Sequence, residues 1–323
     1  MKKLLTVVLA AVLALGLVSC GTSGTNTDNE GKKTYKVGIC QLAQHPALDA
    51  ATEGFMAALN ELLPGQVTFD SQNASGELVN CATIVNGFVS GNYDLIMANA
   101  TGALQAAVSA TDTIPILGTS VTAYGVALEL DDFNGTCGGN VSGTSDLADL
   151  DATADMVKEW FPDAKKIGLL FCSSEANSRY QVDEMTKRFT EKGYECKEYS
   201  FTDSNDIASV CEKACSEVEV IYIPTDNTAA SNSETVANIA IPAKIPVVAG
   251  EEGICTNTGV CALSISYYDL GYTTGKMAAK ILTGEANVSE MPIEYAEATK
   301  KYDADVCKEL GIEPLEGYTA IEK

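Results

Sequence analysis

The chain has 323 residues, of which 46% are hydrophobic and 20% charged, with 44 acidic against 21 basic residues and a formal net charge of −23. That length is long for one hydrophobic core and suits two lobes, while so acidic a surface repels nucleic acid and argues against anionic lipid as a partner. Eleven Cys but a single His, His45, leave no CxxC pair and no metal-ligand spacing, so no metal and no cofactor are expected.

The first residues read as a secretory signal. Lys2 and Lys3 form a positive n-region, Leu4 to Leu17 is apolar, and Leu17-Val18-Ser19-Cys20-Gly21 follows. The apolar run is too short for a comfortable membrane span and has the flanks of a signal peptide, residues 1–19. Small residues ahead of a Cys at that place resemble the bacterial lipobox, which implies cleavage before Cys20 and lipidation on its thiol. Residues 21–33 contain no large apolar residue, so 20–33 is expected to be a flexible tether. One acylated Cys holds a protein at a membrane surface without a spanning helix. The expected location is extracytoplasmic, anchored to the outer face of the cell membrane.

From Tyr35 on, strand-like and helix-like segments alternate. Tyr35–Cys40 is a short apolar run, and Leu48–Leu63 carries Phe55, Met56, Leu59, Leu62 and Leu63 at helical spacing before Pro64-Gly65 stops it. Val67–Phe69, Asp94–Ala98 and Ile114–Leu117 read as strands, with helices over Glu77–Val89 and Ala103–Ala110 between them. Such alternation means βαβ units and a parallel sheet covered by helices on both faces. The Gly-rich stretch Gly138–Gly143 lacks the context of a nucleotide fingerprint and reads as a hinge. After about residue 145 the rhythm restarts. Lys166–Phe171, Glu195–Tyr199, Val220–Ile223 and Pro246–Val248 are strands, separated by helices over Ala176–Lys192, Asp206–Val218 and Ser231–Ile241. A strand over Ala262–Ser266 and a helix over Leu270–Thr283 then cross back. The expected division is 34–138 with 267–288 in one lobe and 139–266 with 289–323 in the other. Cys211/Cys215 and Cys255/Cys261 are spaced so that either pair could bridge outside a cell, while Cys40 and Cys172 sit in apolar strands and read as core.

The segment from Val37-Gly38-Ile39-Cys40-Gln41 through His45-Pro46-Ala47-Leu48-Asp49 to Glu53-Gly54-Phe55 resembles ABC-transporter substrate-binding proteins of the tryptophan/tyrosine-binding type. Further matches are Asn140-Val141-Ser142-Gly143-Thr144-Ser145-Asp146, Ser174-Glu175-Ala176-Asn177-Ser178, Ile223-Pro224-Thr225-Asp226-Asn227 and Tyr268-Asp269-Leu270-Gly271-Tyr272 through Ala278. The resemblance implies a type I periplasmic-binding-protein fold, an α/β architecture of two Rossmann-like lobes with parallel sheets, a hinge and a ligand cleft between the lobes. It also implies a membrane permease as partner. The family often has Asp-Pro after Val-Thr, whereas Val121-Thr122 is followed here by Ala123-Tyr124-Gly125, a segment expected to line the cleft.

Ligands in open α/β sheets bind beyond the carboxyl ends of the strands, which selects Gln41–Pro46, Asn99–Gly102, Thr119–Tyr124, Ser173–Ser178, Thr225–Asn227 and Gly250–Gly253. Thr101-Gly102 and Ser173-Ser174 offer hydroxyls at a helix start, a seat for a carboxylate or simply N-caps. Asp226, with Asn227 beside it, is the candidate partner for an ammonium group, or the cap of the next helix; Glu175, Glu251 and Glu252 are alternatives. Tyr124, Tyr267 and Tyr268 are candidates to stack on an apolar ligand, or else packing. Thr122, Asn177, Gln41 and His45 complete the candidate ligand-binding set. There is no GxSxG, P-loop or HExxH, and no Cys with a His base other than His45, so no enzyme is expected. The expectation is a monomeric binding protein for a small molecule, an aromatic or branched amino acid first, with a nucleoside, sugar or other metabolite, or a sensory role, as alternatives.

Overall fold

The structure is a computed structural model that describes residues 33–323. The expected signal peptide, the expected lipidation site Cys20 and nearly all of the expected tether lie outside the described residues. No helix among the described residues is long and apolar enough to cross a membrane.

The first half runs β1 (Tyr35–Gln41), α1 (Pro46–Leu62), β2 (Val67–Asn73), α2 (Leu78–Ser90), β3 (Leu95–Asn99), α3 (Thr101–Ala110), β4 (Ile116–Val121), α4 (Tyr124–Ala127) and β5 (Val141–Ser145). The second half runs α5 (Leu150–Trp160), β6 (Lys166–Cys172), α6 (Ala176–Glu191), β7 (Glu195–Phe201), α7 (Ile207–Glu217) and β8 (Val220–Ile223). It continues with α8 (Asn227–Ser231), α9 (Ser233–Ala240), β9 (Val247–Ala249), α10 (Glu252–Cys255) and β10 (Cys261–Ser264). The tail adds α11 (Tyr267–Thr283), β11 (Glu294–Tyr295), β12 (Thr299–Tyr302), α12 (Ala304–Leu310) and β13 (Thr319–Ala320).

Two sheets result, ordered β11-β5-β4-β3-β1-β2 and β13-β12-β10-β9-β8-β6-β7. Every pairing is parallel except β10 with β12. Within each half the order is the same, with the second strand outside the first and the third on its other side. That is a doubly wound sheet, and the reversal of direction lies between β1 and β3 in one lobe and between β6 and β8 in the other. Strands such as β3 and β8 are buried along their whole length, as a parallel sheet with helices on both faces requires.

The lobe boundaries differ from the expectation at two places. Val141–Ser145 pairs with β4 in the first sheet, so the Gly-rich stretch ends as a strand of the first lobe instead of a hinge. Gly143 is needed there: at φ +147°, a Cβ would lie 2.0 Å from Gly118 O. Likewise Glu294–Tyr295 pairs with β5, so the first lobe extends beyond residue 288. The chain therefore crosses between lobes at 146–149, 265–266 and 296–298. Helix α11 returns to the first lobe and packs along α1, its start fixed by the Ser266 hydroxyl accepting from Asp269 N and its end by Gly284 in the left-handed region. Ile265, Tyr267, Leu270 and Ala296 close over Ala47 and Ala51, which joins two of the crossings to the start of α1.

Candidate functional site

The two switch points face each other, and the strand ends between them build a small polar cavity. From the first lobe come His45 and Leu48 at the start of α1 and Ser120 and Thr122 at the end of β4. Asn177, Thr225, Asp226, Asn227 and Glu251 come from the second lobe, and Asp146 and Tyr267 stand beside the crossings. The lobes touch directly. His45 Nε2 donates to Asn227 Oδ1 at 3.3 Å, and the Thr122 and Thr225 hydroxyls are 3.3 Å apart. The cleft is thus closed, and the cavity has about 10 Å³ of free space, room for about one water. Outside the His45–Asn227 bridge, a groove of about 680 Å³ opens at the mouth, with Leu42, Leu78 and Val79 on one wall and Ser174, Thr202 and Thr228 on the other.

Three carboxylates face the cavity with almost no exposure: Asp146 at 6%, Asp226 at 2% and Glu251 at 3%. None of the residues that line the cavity is Lys or Arg. Burial pushes the Asp146 carboxyl up to about 6 against hydrogen bonds from Thr122 and Tyr267. It pushes Glu251 up to about 7 and, with Glu175 adding to the effect, Asp226 up to about 8. A buried charge without a counter-charge is costly, so this space favours a cationic group. Among the described residues, no set of three His, Cys, Asp or Glu is disposed to hold a metal ion.

The first lobe contributes the complementary feature. Four buried polar atoms there lack a hydrogen-bond partner: His45 Nδ1, Asn99 Oδ1, Thr101 Oγ1 and Ser120 Oγ. Ser120 at φ +54° and Ala100 at φ +94° hold left-handed or otherwise disfavoured backbone at the ends of neighbouring strands. Such strain persists where surrounding structure imposes it, and it concentrates at binding sites. No side chain caps the start of α3, so its free N–H groups and the Thr101 hydroxyl remain available.

About half of the residues singled out from the sequence line the cavity, namely His45, Thr122, Asn177, Asp226, Asn227, Glu251 and Tyr267, and Glu175 and Gln41 brace its walls. Asp226 is the cap of α8, its Oδ1 accepting from Ala229 N at 2.8 Å and its Oδ2 from Cys172 N at 2.6 Å, and it also lines the cavity. Glu251 caps α10 through Gly253 N and Ile254 N. Glu175 grips the start of α8 by accepting from Asn227 N and Thr228 N, which positions Asn227 for His45. Gln41 donates to Ala43 O and Asp49 Oδ1 and accepts from Thr52 Oγ1, folding the His45 loop onto α1. Asn177 donates to Thr225 O at 2.9 Å.

Other residues do not reach it. Ser173 and Ser174 donate to Phe201 O and Thr202 O of their own lobe; Ser174 borders only the outer groove. Gly102 lies beneath Leu78, where a Cβ would come within 2.5 Å of Leu78 Cδ2. Tyr124 turns away from the cleft into the first-lobe core and donates to Thr144 O at 3.0 Å. The absence of a side chain at Gly118 and Gly143 makes the space for its hydroxyl. Tyr268 is exposed and stacks on Tyr272. Asp146 lines the cavity from outside every selected loop, while Ser120 and Thr225 line it as members of the selected loops Thr119–Tyr124 and Thr225–Asn227. The ten described cysteines, Cys211, Cys215, Cys255 and Cys261 among them, are free thiols.

Over residues 36–314 the chain matches the family described as ABC transporter substrate binding protein, and it belongs to that family. It is a binding protein, with the type I periplasmic-binding-protein fold, and not an enzyme. A tyrosine-binding protein of Clostridioides difficile is 35% identical over 97% of this chain and 94% of its own length. An ABC domain from Streptococcus pneumoniae in complex with L-Trp is 30% identical, covers 90% of this chain and all of its own, and superposes with a TM-score of 0.84. The ligand-free, open form of a substrate-binding protein with adhesive properties from Clostridium difficile is 37% identical with the same coverage, yet has a TM-score of 0.68. The likeness in shape is greater to the ligand-bound structure than to the open one of higher identity, in keeping with the closed cleft.

Proposed function

We propose that the protein is an extracytoplasmic binding lipoprotein of an ABC importer that captures an aromatic amino acid between its lobes. The observation that carries this reading is the cavity itself: three buried carboxylates with no cation, opposite the unpartnered Ser120 hydroxyl at the end of β4, with the unpartnered Thr101 hydroxyl at the start of the neighbouring α3. An α-amino acid supplies what each side lacks. Its ammonium offsets the carboxylates, and its carboxylate takes the Ser120 and Thr101 hydroxyls and the free N–H groups of α3. The side chain of the ligand lies against Leu48 and Tyr267 and toward the apolar wall of the mouth. The names of the relatives that bind tyrosine and L-Trp support an aromatic side chain.

The space in the closed cleft is too small for such a molecule, so the lobes part to admit it and then close around it with Thr122 and Thr225 in contact but the His45–Asn227 mouth wider than here. Ligand binding selects a closed state, which a membrane permease then recognises. The monomer is held at the membrane by Cys20 and the tether. The test is a melting-temperature panel against amino acids, nucleosides and sugars, since a ligand of the folded state raises the midpoint by mass action. Shifts with L-tyrosine, L-tryptophan or L-phenylalanine support the reading. Shifts with nucleosides or sugars alone would remove the amino acid and leave the fold and family intact.

A further inference from the structure

Of the three carboxylates in the cavity, Asp146 stands apart in how it is held. Both oxygens of Asp226 and both of Glu251 accept backbone N–H groups, including those of the helices they cap. Those bonds lie within the second lobe, and they partly offset each charge. Asp146 is held by two hydroxyls, Thr122 Oγ1 on Oδ1 and Tyr267 OH on Oδ2, each at 3.0 Å. It stands at the first crossing, and Tyr267 opens α11 just after the second.

The direction of this network follows from its carboxylate end. The Gln181 amide can only donate from Nε2, and it donates to Thr225 Oγ1 at 2.6 Å. The Thr122 hydroxyl donates its one proton to Asp146 Oδ1, which leaves Thr122 Oγ1 to accept from the Thr225 hydroxyl, 3.3 Å away across the cleft. Tyr267 donates to the other oxygen, so both oxygens of the ionised Asp146 carboxylate accept. The chain from Gln181 to Asp146 is complete only when the lobes are together. At its end sits a buried negative charge with no cation beside it.

We propose that Asp146 is the residue that selects a ligand's ammonium group, and that the hydroxyl chain ending on it couples this selection to closure of the lobes. This rests on the amino-acid reading above. The ammonium supplies the missing positive charge, Asp146 stays ionised, and the chain through Thr122 and Thr225 holds the second lobe onto the hinge.

The experiment is calorimetric titration of the full-length protein, its variants Asp146→Asn and Thr122→Val, with L-tyrosine and with 3-(4-hydroxyphenyl)propanoate, which lacks only the ammonium. The wild type binds L-tyrosine about thirty-fold or more tightly than the analogue, as loss of a buried charge partner implies. In Asp146→Asn that preference falls about ten-fold or more. In Thr122→Val both ligands weaken together and the preference stays, since the carboxylate remains and the link to closure is lost. An unchanged preference in Asp146→Asn overturns the inference, and so does a wild type that binds the two ligands alike, whether or not the variants fold. A wild type that binds neither overturns the amino-acid reading as well, so the two failures are distinguishable.

Discussion

The packing of α11 on α1 sets the hinge side of the cleft, and a single methyl group tests it. An added Cβ at Gly271 would lie 1.9 Å from Ala51 O, and one at Gly275 would lie 2.6 Å from Phe55 O. An ordinary contact begins at about 3.4 Å, so Gly271→Ala has to part the two backbones by about 1.5 Å. That movement unpacks Leu270, Tyr267 and Ala51 from one another. Overpacking of this kind costs about 3 kcal/mol when the obstacle is backbone, and the helix propensity gained by replacing Gly returns less than about 1 kcal/mol. The expected net loss of about 2 kcal/mol lowers the midpoint by roughly 3 °C for a chain of this size. Melting followed by circular dichroism measures it. Gly87→Ala on the exposed face of α2, with nothing within 4 Å of the new Cβ, is the control, and it gains up to about 1 kcal/mol. A Gly271→Ala protein that melts within a degree of the wild type would refute the close contact of the helices.

Three more outcomes follow from the cleft and the chain start. Asp146, Glu251 and Asp226 have carboxyls pushed up to about 6, 7 and 8 in the closed form, so that form binds more protons than an open, solvated one. It is favoured below those values and loses ground as pH rises through them. His45, lowered chiefly by burial, acts in the opposite sense but only below its ordinary value of 6.5. Between about pH 6.5 and 8.5 the ligand-free protein should therefore open, seen as a rise in the radius of gyration by small-angle scattering; a constant radius contradicts it. Tyr124→Phe removes the bond to Thr144 O and should cost about 1 kcal/mol of stability, while ligand affinity stays within about two-fold; a large loss of affinity would return Tyr124 to the site. Cys20→Ser should move the protein from the membrane fraction of its native cell to the soluble one, and unchanged fractionation would dismiss the lipid anchor.

How far the sequence reveals this arrangement depends on whether the signal is local. Alternating apolar runs and amphipathic stretches disclose the doubly wound lobes, because each βαβ unit carries its own period. Asp226 and Glu251 are legible because each follows a buried strand and precedes a helix, where a carboxylate both caps and faces the cleft. Asp146 is not legible that way. Its strand, β5, is short, Gly-rich and readable as a hinge, and its role comes from Thr122 and Tyr267, which are distant in sequence. Ser120 sits in the apolar run ILGTSV, and nothing in its neighbours announces a positive φ. Tyr124 looks like a cleft aromatic until Gly118 and Gly143, on adjacent strands, are seen to leave space beneath it. Ser173 and Ser174 precede a helix as anion seats do, but the end of β7 takes their hydroxyls.

The most direct measurement is a crystal structure of the protein with L-tyrosine bound. The account predicts the ligand between the lobes, its ammonium within hydrogen-bond reach of Asp146, and its carboxylate at Ser120 and the start of α3. A ligand lying only in the outer groove, or one whose carboxylate points into the cluster of acids, would contradict it.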